Sequence, residues 1–144
     1  VIEISHVPVL AVPELAEFKS FGNVVYATDL LHIQSELKML IPYLDMFGST
    51  VHLLHVTASL KEVSSLEKKI EAVVANVGIK NVVTKVIVNK KIDEAIEYYV
   101  KESKADLLAM FTHDATFYER LFNRSMTKKM AFQSKIPLLA FRRL

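Results

Sequence analysis

Five short apolar runs separated by segments of helical spacing constrain this chain more than any other feature of it. The runs are residues 23–27 (Asn-Val-Val-Tyr-Ala), 51–56 (Val-His-Leu-Leu-His-Val), 81–88, 105–112 and 138–141 (Leu-Leu-Ala-Phe). They are continuously apolar rather than alternating, which is the pattern of strands buried on both faces of a parallel sheet. Between them, Ile33, Leu37, Leu40, Ile41, Leu44 and Phe47 recur at helical spacing and stop at Gly48. A second set, Leu60, Val63, Leu66, Ile70, Val73, Val74 and Val77, closes at Gly78. Ile92, Ala95, Ile96, Tyr99 and Val100 predict a third helix, and residues 125–133 a fourth. Pro42 falls inside the first helix and, lacking a donor, is expected to kink or open it. Strands alternating with helices predict a doubly wound α/β fold, and right-handed crossovers predict a five-stranded parallel sheet of order 3-2-1-4-5.

A second feature is a repeat. Ser5-His6-Val7-Pro8-Val9-Leu10-Ala11-Val12 returns as Ser134-Lys135-Ile136-Pro137-Leu138-Leu139-Ala140-Phe141. Both copies read as a loop, a proline at a strand entrance and a short buried strand. The first copy predicts that residues 1–20 are the last strand and linker of a preceding unit, with a complete domain over 21–144. A chain opening on Val1 without Met suits a piece of something longer. An unpaired apolar edge such as 138–141 invites association, so the opening strand is expected to pair with a closing strand, its own or a neighbour's.

Composition excludes several classes. With no cysteine there is no thiol chemistry, disulfide or Cys-based metal site, which suits a reducing cytoplasm. Net charge of +2 gives no global field for nucleic acid or membrane. The charge is uneven: residues 115–144 hold seven Lys/Arg against one acid, Glu119. Arg120, Arg124, Lys128 and Lys129 cluster near the start of the fourth helix, where they serve either an anionic ligand or solubility. No apolar run approaches the ~20 residues of a membrane span.

The order-reversal rule puts a ligand crevice at the carboxyl ends of the first and fourth strands, at Ala27-Thr28-Asp29 and Met110-Phe111-Thr112-His113-Asp114. Familiar chemistries fail there. The three glycines, Gly22, Gly48 and Gly78, are scattered, so neither a dinucleotide fingerprint nor a P-loop is present. A phosphorelay receiver needs an acidic cluster after the first strand and an aspartate after the third, where this chain has Asp29 alone and Asn89. His52 and His55, three apart on a strand, point to opposite faces and read as ordinary strand histidines. Ser125 reads as a helix N-cap, and Thr116 with Glu119 as a capping box.

Over 110–141 the chain resembles the universal stress protein family. That family carries G-x2-G-x9-G-[ST] between its fourth strand and fourth helix. Laid on without gaps, the three glycine positions fall at Phe111, Asp114 and Arg124, and the hydroxyl position at Ser125. Thr112-His113 is a usual filler, Thr127 fits the pattern, Asp29 matches the aspartate near adenine and ribose, and Leu53-Leu54-His55-Val56 resembles the second strand. The resemblance covers about residues 21–144 and implies a Rossmann-like fold of the adenine nucleotide alpha hydrolase type. It also implies a cytoplasmic stress-response domain forming a homodimer or tandem pseudo-dimer through the last strand, with neither nucleic acid nor membrane as partner. If a nucleotide or other anion is held, the implied residues are Thr28, Asp29, Val56, Met110, Thr112, His113, Arg124, Ser125 and Thr127. No catalytic or metal residue is implied. ATP itself is not expected, because all three glycines are replaced, Asp114 brings negative charge, and the Gly-Asp-Pro after strand three is Asn89-Lys90-Lys91. The rival expectation is an ATP-binding domain with weak nucleotide hydrolase activity, using Asp29, His113 and Ser125.

Overall fold

The computed structural model describes residues 7–14, 16–17, 20–112 and 136–142. Six strands and three helices follow in order: β1 (Val9–Ala11), β2 (Asn23–Ala27), α1 (Ile33–Phe47), β3 (Thr50–Thr57), α2 (Val63–Val77), β4 (Val82–Val88), α3 (Ile92–Glu102), β5 (Leu107–Thr112) and β6 (Leu138–Arg142). One 3-10 turn, Leu60–Glu62, leads into α2. The fourth helix expected over 125–133 lies outside the described residues.

The strands form one sheet of order β1-β6-β5-β2-β3-β4. Counted from β2, the five parallel strands take the expected order 3-2-1-4-5, and β1 is added antiparallel to β6. The opening strand therefore covers the closing strand of its own chain. β4, at the far edge, departs from the expectation of two buried faces: much of it is exposed, because no strand lies beyond it and only α2 packs closely on it.

Helix ends follow the sequence signals. Gly48 and Gly78 both adopt left-handed backbone, φ 61° and 74°, where an L side chain is strained. α1 runs unbroken through Pro42, whose missing N–H leaves the Lys38 carbonyl without its helical donor.

Two cores result. On one face Tyr26, Leu37, Leu40, Leu53 and Ile70 pack the sheet against α1 and α2. On the other, Val25, Leu54, Ile96, Val100 and Leu108 pack it against α3. Fully burying each such aliphatic side chain contributes roughly 1.5–3 kcal/mol. Aromatic rings continue the first core to the closing strand. Phe111 of β5 stacks on Phe141 of β6, and Tyr43 of α1 meets Phe141 edge-on at 5.8 Å.

Candidate functional site

Register brings the carboxyl ends of β5, β2 and β3 together. Ala27 lies opposite Met110 on one side and Leu54 on the other. Ala27, Met110 and Val56 all belong to the α3-side core, so Met110 and Val56 flank Ala27 on one face. Thr28 and Asp29 follow at the strand's end and form the lip of the place where the strand order reverses and a ligand crevice is expected.

Local hydrogen bonds shape that lip. The Thr28 N–H donates to the Leu54 carbonyl at 2.9 Å, extending the ladder by one residue. The Leu30 N–H donates to Thr28 Oγ1 at 3.0 Å, and the Leu31 N–H to Asp29 Oδ1 at 3.0 Å. Short polar side chains that cap the following backbone in this way favour a tight turn. Leu30 takes φ 68° there and buries its side chain in the α1-side core. One oxygen of Asp29 is thus engaged with the turn, while the residue stays exposed.

His55 joins the lip from β3. Its Nδ1 lies 2.8 Å from the Thr28 carbonyl oxygen. A carbonyl only accepts, so Nδ1 carries a proton and donates. On the neighbouring loop, Thr57 donates from Oγ1 to Glu62 Oε2 at 3.0 Å and accepts from the Ser59 N–H. After β4, Asn89 Oδ1 accepts from the Lys91 N–H at 2.9 Å, a side-chain-closed turn where Gly-Asp-Pro was absent.

Of the residues expected at the site, Thr28, Asp29, Val56 and Met110 lie at or just beyond the carboxyl ends of three adjacent strands. Thr112 ends β5, in register with Arg142. His113, Arg124, Ser125 and Thr127 lie outside the described residues, as does Asp114. Phe111, at the first family glycine position, sends its ring away from the crevice. It is buried in the α1-side core, 4.3 Å from Phe141 with an interplanar angle of 8°, and edge-on to Tyr26 at 5.8 Å. Alternation explains this: Met110 faces α3, so Phe111 must face α1.

Two polar groupings were missed in the sequence. Tyr26 donates its hydroxyl proton to Glu36 Oε2, and both residues are buried. The signal was available, since Glu36 interrupts the apolar stripe Ile33-Leu37-Leu40 on the inner side of α1. At the opposite end of β3, His52 lies between Tyr99, Nδ1 to Oη 3.0 Å, and Asn23, Nε2 to Oδ1 3.2 Å. The arrangement satisfies both nitrogens of a neutral ring, with the Tyr99 hydroxyl donating to Nδ1 and Nε2–H donating to Asn23. Burial lowers the His52 pKa and raises that of Tyr99. His52 and His55 therefore serve different partners at different ends of the sheet. Among the described residues no group of three His, Asp or Glu side chains is placed to hold a metal, and no helix is long and apolar enough to cross a membrane.

Comparison with known proteins agrees with this fold. The sequence pattern of the universal stress protein family matches residues 57–142, more than half of the chain. No curated protein matches it in sequence. Among solved structures, it is similar to a universal stress protein from Archaeoglobus fulgidus DSM 4304, with TM-score 0.68 and 20% identity over 99% of this chain and 52% of that one. A universal stress protein from Archaeoglobus fulgidus in complex with dAMP matches at TM-score 0.58 and 12% identity, over 85% of this chain and 98% of that one. A universal stress protein in complex with cAMP matches at TM-score 0.62 and 14% identity, over 85% and 98%. At these identities the likeness is one of fold. The chain spans about half the length of the DSM 4304 protein.

Proposed function

Because the chain belongs to the universal stress protein family, we propose that it is a non-catalytic, cytoplasmic stress-response domain that works through contact between paired domains. Its nucleotide crevice is altered at the phosphate end. The observation that carries this reading is the antiparallel pairing of β1 with β6, in which two copies of one motif meet. It supports a tandem pseudo-dimer built on the last strand in preference to a homodimer, because β1 already occupies that edge in cis. The absence of cysteine supports a reducing compartment.

The crevice has two unlike ends. Thr28, Asp29, Val56 and Met110 form an end of the kind that accepts a base and sugar. At the phosphate end a triphosphate requires close approach to backbone, which a Cβ obstructs. Phe111 is turned into the core, and the other two glycine positions of the family pattern are Asp114 and Arg124 in the sequence. A second reading, ATP binding with weak hydrolysis involving Asp29, His113 and Ser125, draws its support from that orientation of Phe111 and from the family neighbours that hold dAMP and cAMP.

Thermal melting with and without ATP and Mg²⁺ separates the two. The native chain is expected to show no saturable rise, and the Asp114→Gly/Arg124→Gly variant to gain one. A ligand at a hundredfold excess over its Kd adds about 2.7 kcal/mol, a readily visible shift. A saturable rise in the native chain overturns the first reading in favour of the second.

A further inference from the structure

β1 runs antiparallel to β6, so its carboxyl end at Ala11 lies beside Leu138, where β6 begins. β2 begins at Asn23, three places along the sheet, beyond β6 and β5. Residues 12–22 must therefore cross the amino ends of both strands. The gap is about 14 Å at 4.8 Å between strands, whereas that many residues reach about 36 Å when extended. The connection has length to spare and turns on itself. The Ala16 N–H donates to the Pro13 carbonyl at 3.0 Å, and the Gly22 N–H to that of Ser20 at 2.8 Å.

Between this connection and the amino ends of β5 and β6 lies a cavity of about 630 Å³, within the range of small-molecule sites. Leu10, Phe21, Ile136 and Pro137 give it apolar walls, and Leu10 stays 46% exposed. The crevice expected at the carboxyl ends is the length of β5 away, about 20 Å at 3.3 Å per residue.

Three charged side chains also line the cavity: Glu17, Lys104 and Asp106. Among the described residues none of the three is in an ion pair. Asp106 is half-buried, and its Oδ2 accepts the Asn23 N–H at 2.9 Å, which leaves Oδ1 without a donor from the described residues. Glu17 and Lys104 are exposed. Lys104 takes left-handed backbone, φ 52°, where glycine fits more easily, so the turn itself does not call for a lysine.

These charges select among ligands. A wholly apolar molecule shuts Asp106 Oδ1 away from water with no donor, which is costly. An apolar carboxylate suits Lys104 but faces two like charges, and an apolar amine suits the carboxylates but faces Lys104. A molecule carrying both charges beside an apolar body answers all three. We infer that the cavity binds a free amino acid with a large apolar side chain. Its ammonium group is for Asp106 and Glu17, its carboxylate for Lys104, and its side chain for the apolar walls. The site is separate from the nucleotide crevice and does not depend on the paired-domain reading.

The test is thermal melting and calorimetric titration of the full chain with L-phenylalanine and L-leucine, and with 3-phenylpropionate and phenethylamine, which each lack one charge. A saturable rise is expected with one or both amino acids, and binding about tenfold or more weaker for each single-charge analogue. Lys104→Met, an exposed change, is expected to weaken L-phenylalanine about tenfold and leave phenethylamine no weaker, a split that a damaged fold does not produce. Ala16→Trp, which fills the cavity from the linker side, is expected to abolish binding. No saturable rise with either amino acid in the native chain overturns the inference, as does equal affinity for the single-charge analogues or unchanged affinity in Lys104→Met. Full-strength binding in a folded Ala16→Trp variant places the ligand elsewhere and overturns it too.

Discussion

The ring of Phe111 lies nearly parallel to that of Phe141, with centroids 4.3 Å apart, and binds the last two parallel strands of the sheet together. The side chain of Phe111 is thereby part of the core, on the far side of β5 from Met110. Phe111→Ala is expected to cost about 3–5 kcal/mol of stability, as buried aromatic truncations do. Urea denaturation measures the loss. The same variant gains no ATP affinity, since the crevice was not where the ring lay; affinity gained on this change alone contradicts the assignment.

Tyr26 and Glu36 form a buried pair whose removal is felt through what is left behind. Tyr26→Phe takes a donor from a carboxyl group inside the α1-side core, with an expected loss of about 1–3 kcal/mol. The double variant Tyr26→Phe/Glu36→Met is expected to lose less than the single changes summed, because no carboxyl group is left behind. Simple additivity in a double-mutant cycle argues against the coupling.

His52 makes stability depend on pH. Burial lowers its pKa from the ordinary 6.5. Between the lowered folded value and 6.5 the unfolded chain binds more protons, so stability rises with pH through that window. This contribution is fully present above 6.5 and is lost as the pH falls through the folded pKa. Protonation also ends the acceptance of the Tyr99 hydroxyl proton at Nδ1. His52→Asn is expected to flatten the stability profile between pH 7 and 5 measured by chemical denaturation, and an unchanged slope refutes the role.

β1 shields an apolar edge. Deleting residues 1–14 exposes the backbone of Leu138–Arg142 along one side. Aggregation or a change of oligomeric state is expected in light scattering. A truncated chain that stays monomeric at all concentrations tested would count against strand pairing as the basis of assembly.

The order of strands and helices was legible in the chain because hydrophobic period and turn residues act over a few neighbours. Residues 23–27 read as a strand and form β2, and Gly48 and Gly78 end the helices that the spacing of Ile33 to Phe47 and Leu60 to Val77 predicted. The repeated motif likewise foretold that two like strands would meet. Local pattern could not say which face of β5 Phe111 would take, since that depends on pairing with β2 and β6, strands that end 84 residues before it and begin 27 after it. Nor could it match Glu36 to Tyr26, or show that β1 covers the closing strand of its own chain. Side-chain direction in a buried sheet is decided by register, and register is settled only when distant segments pack together.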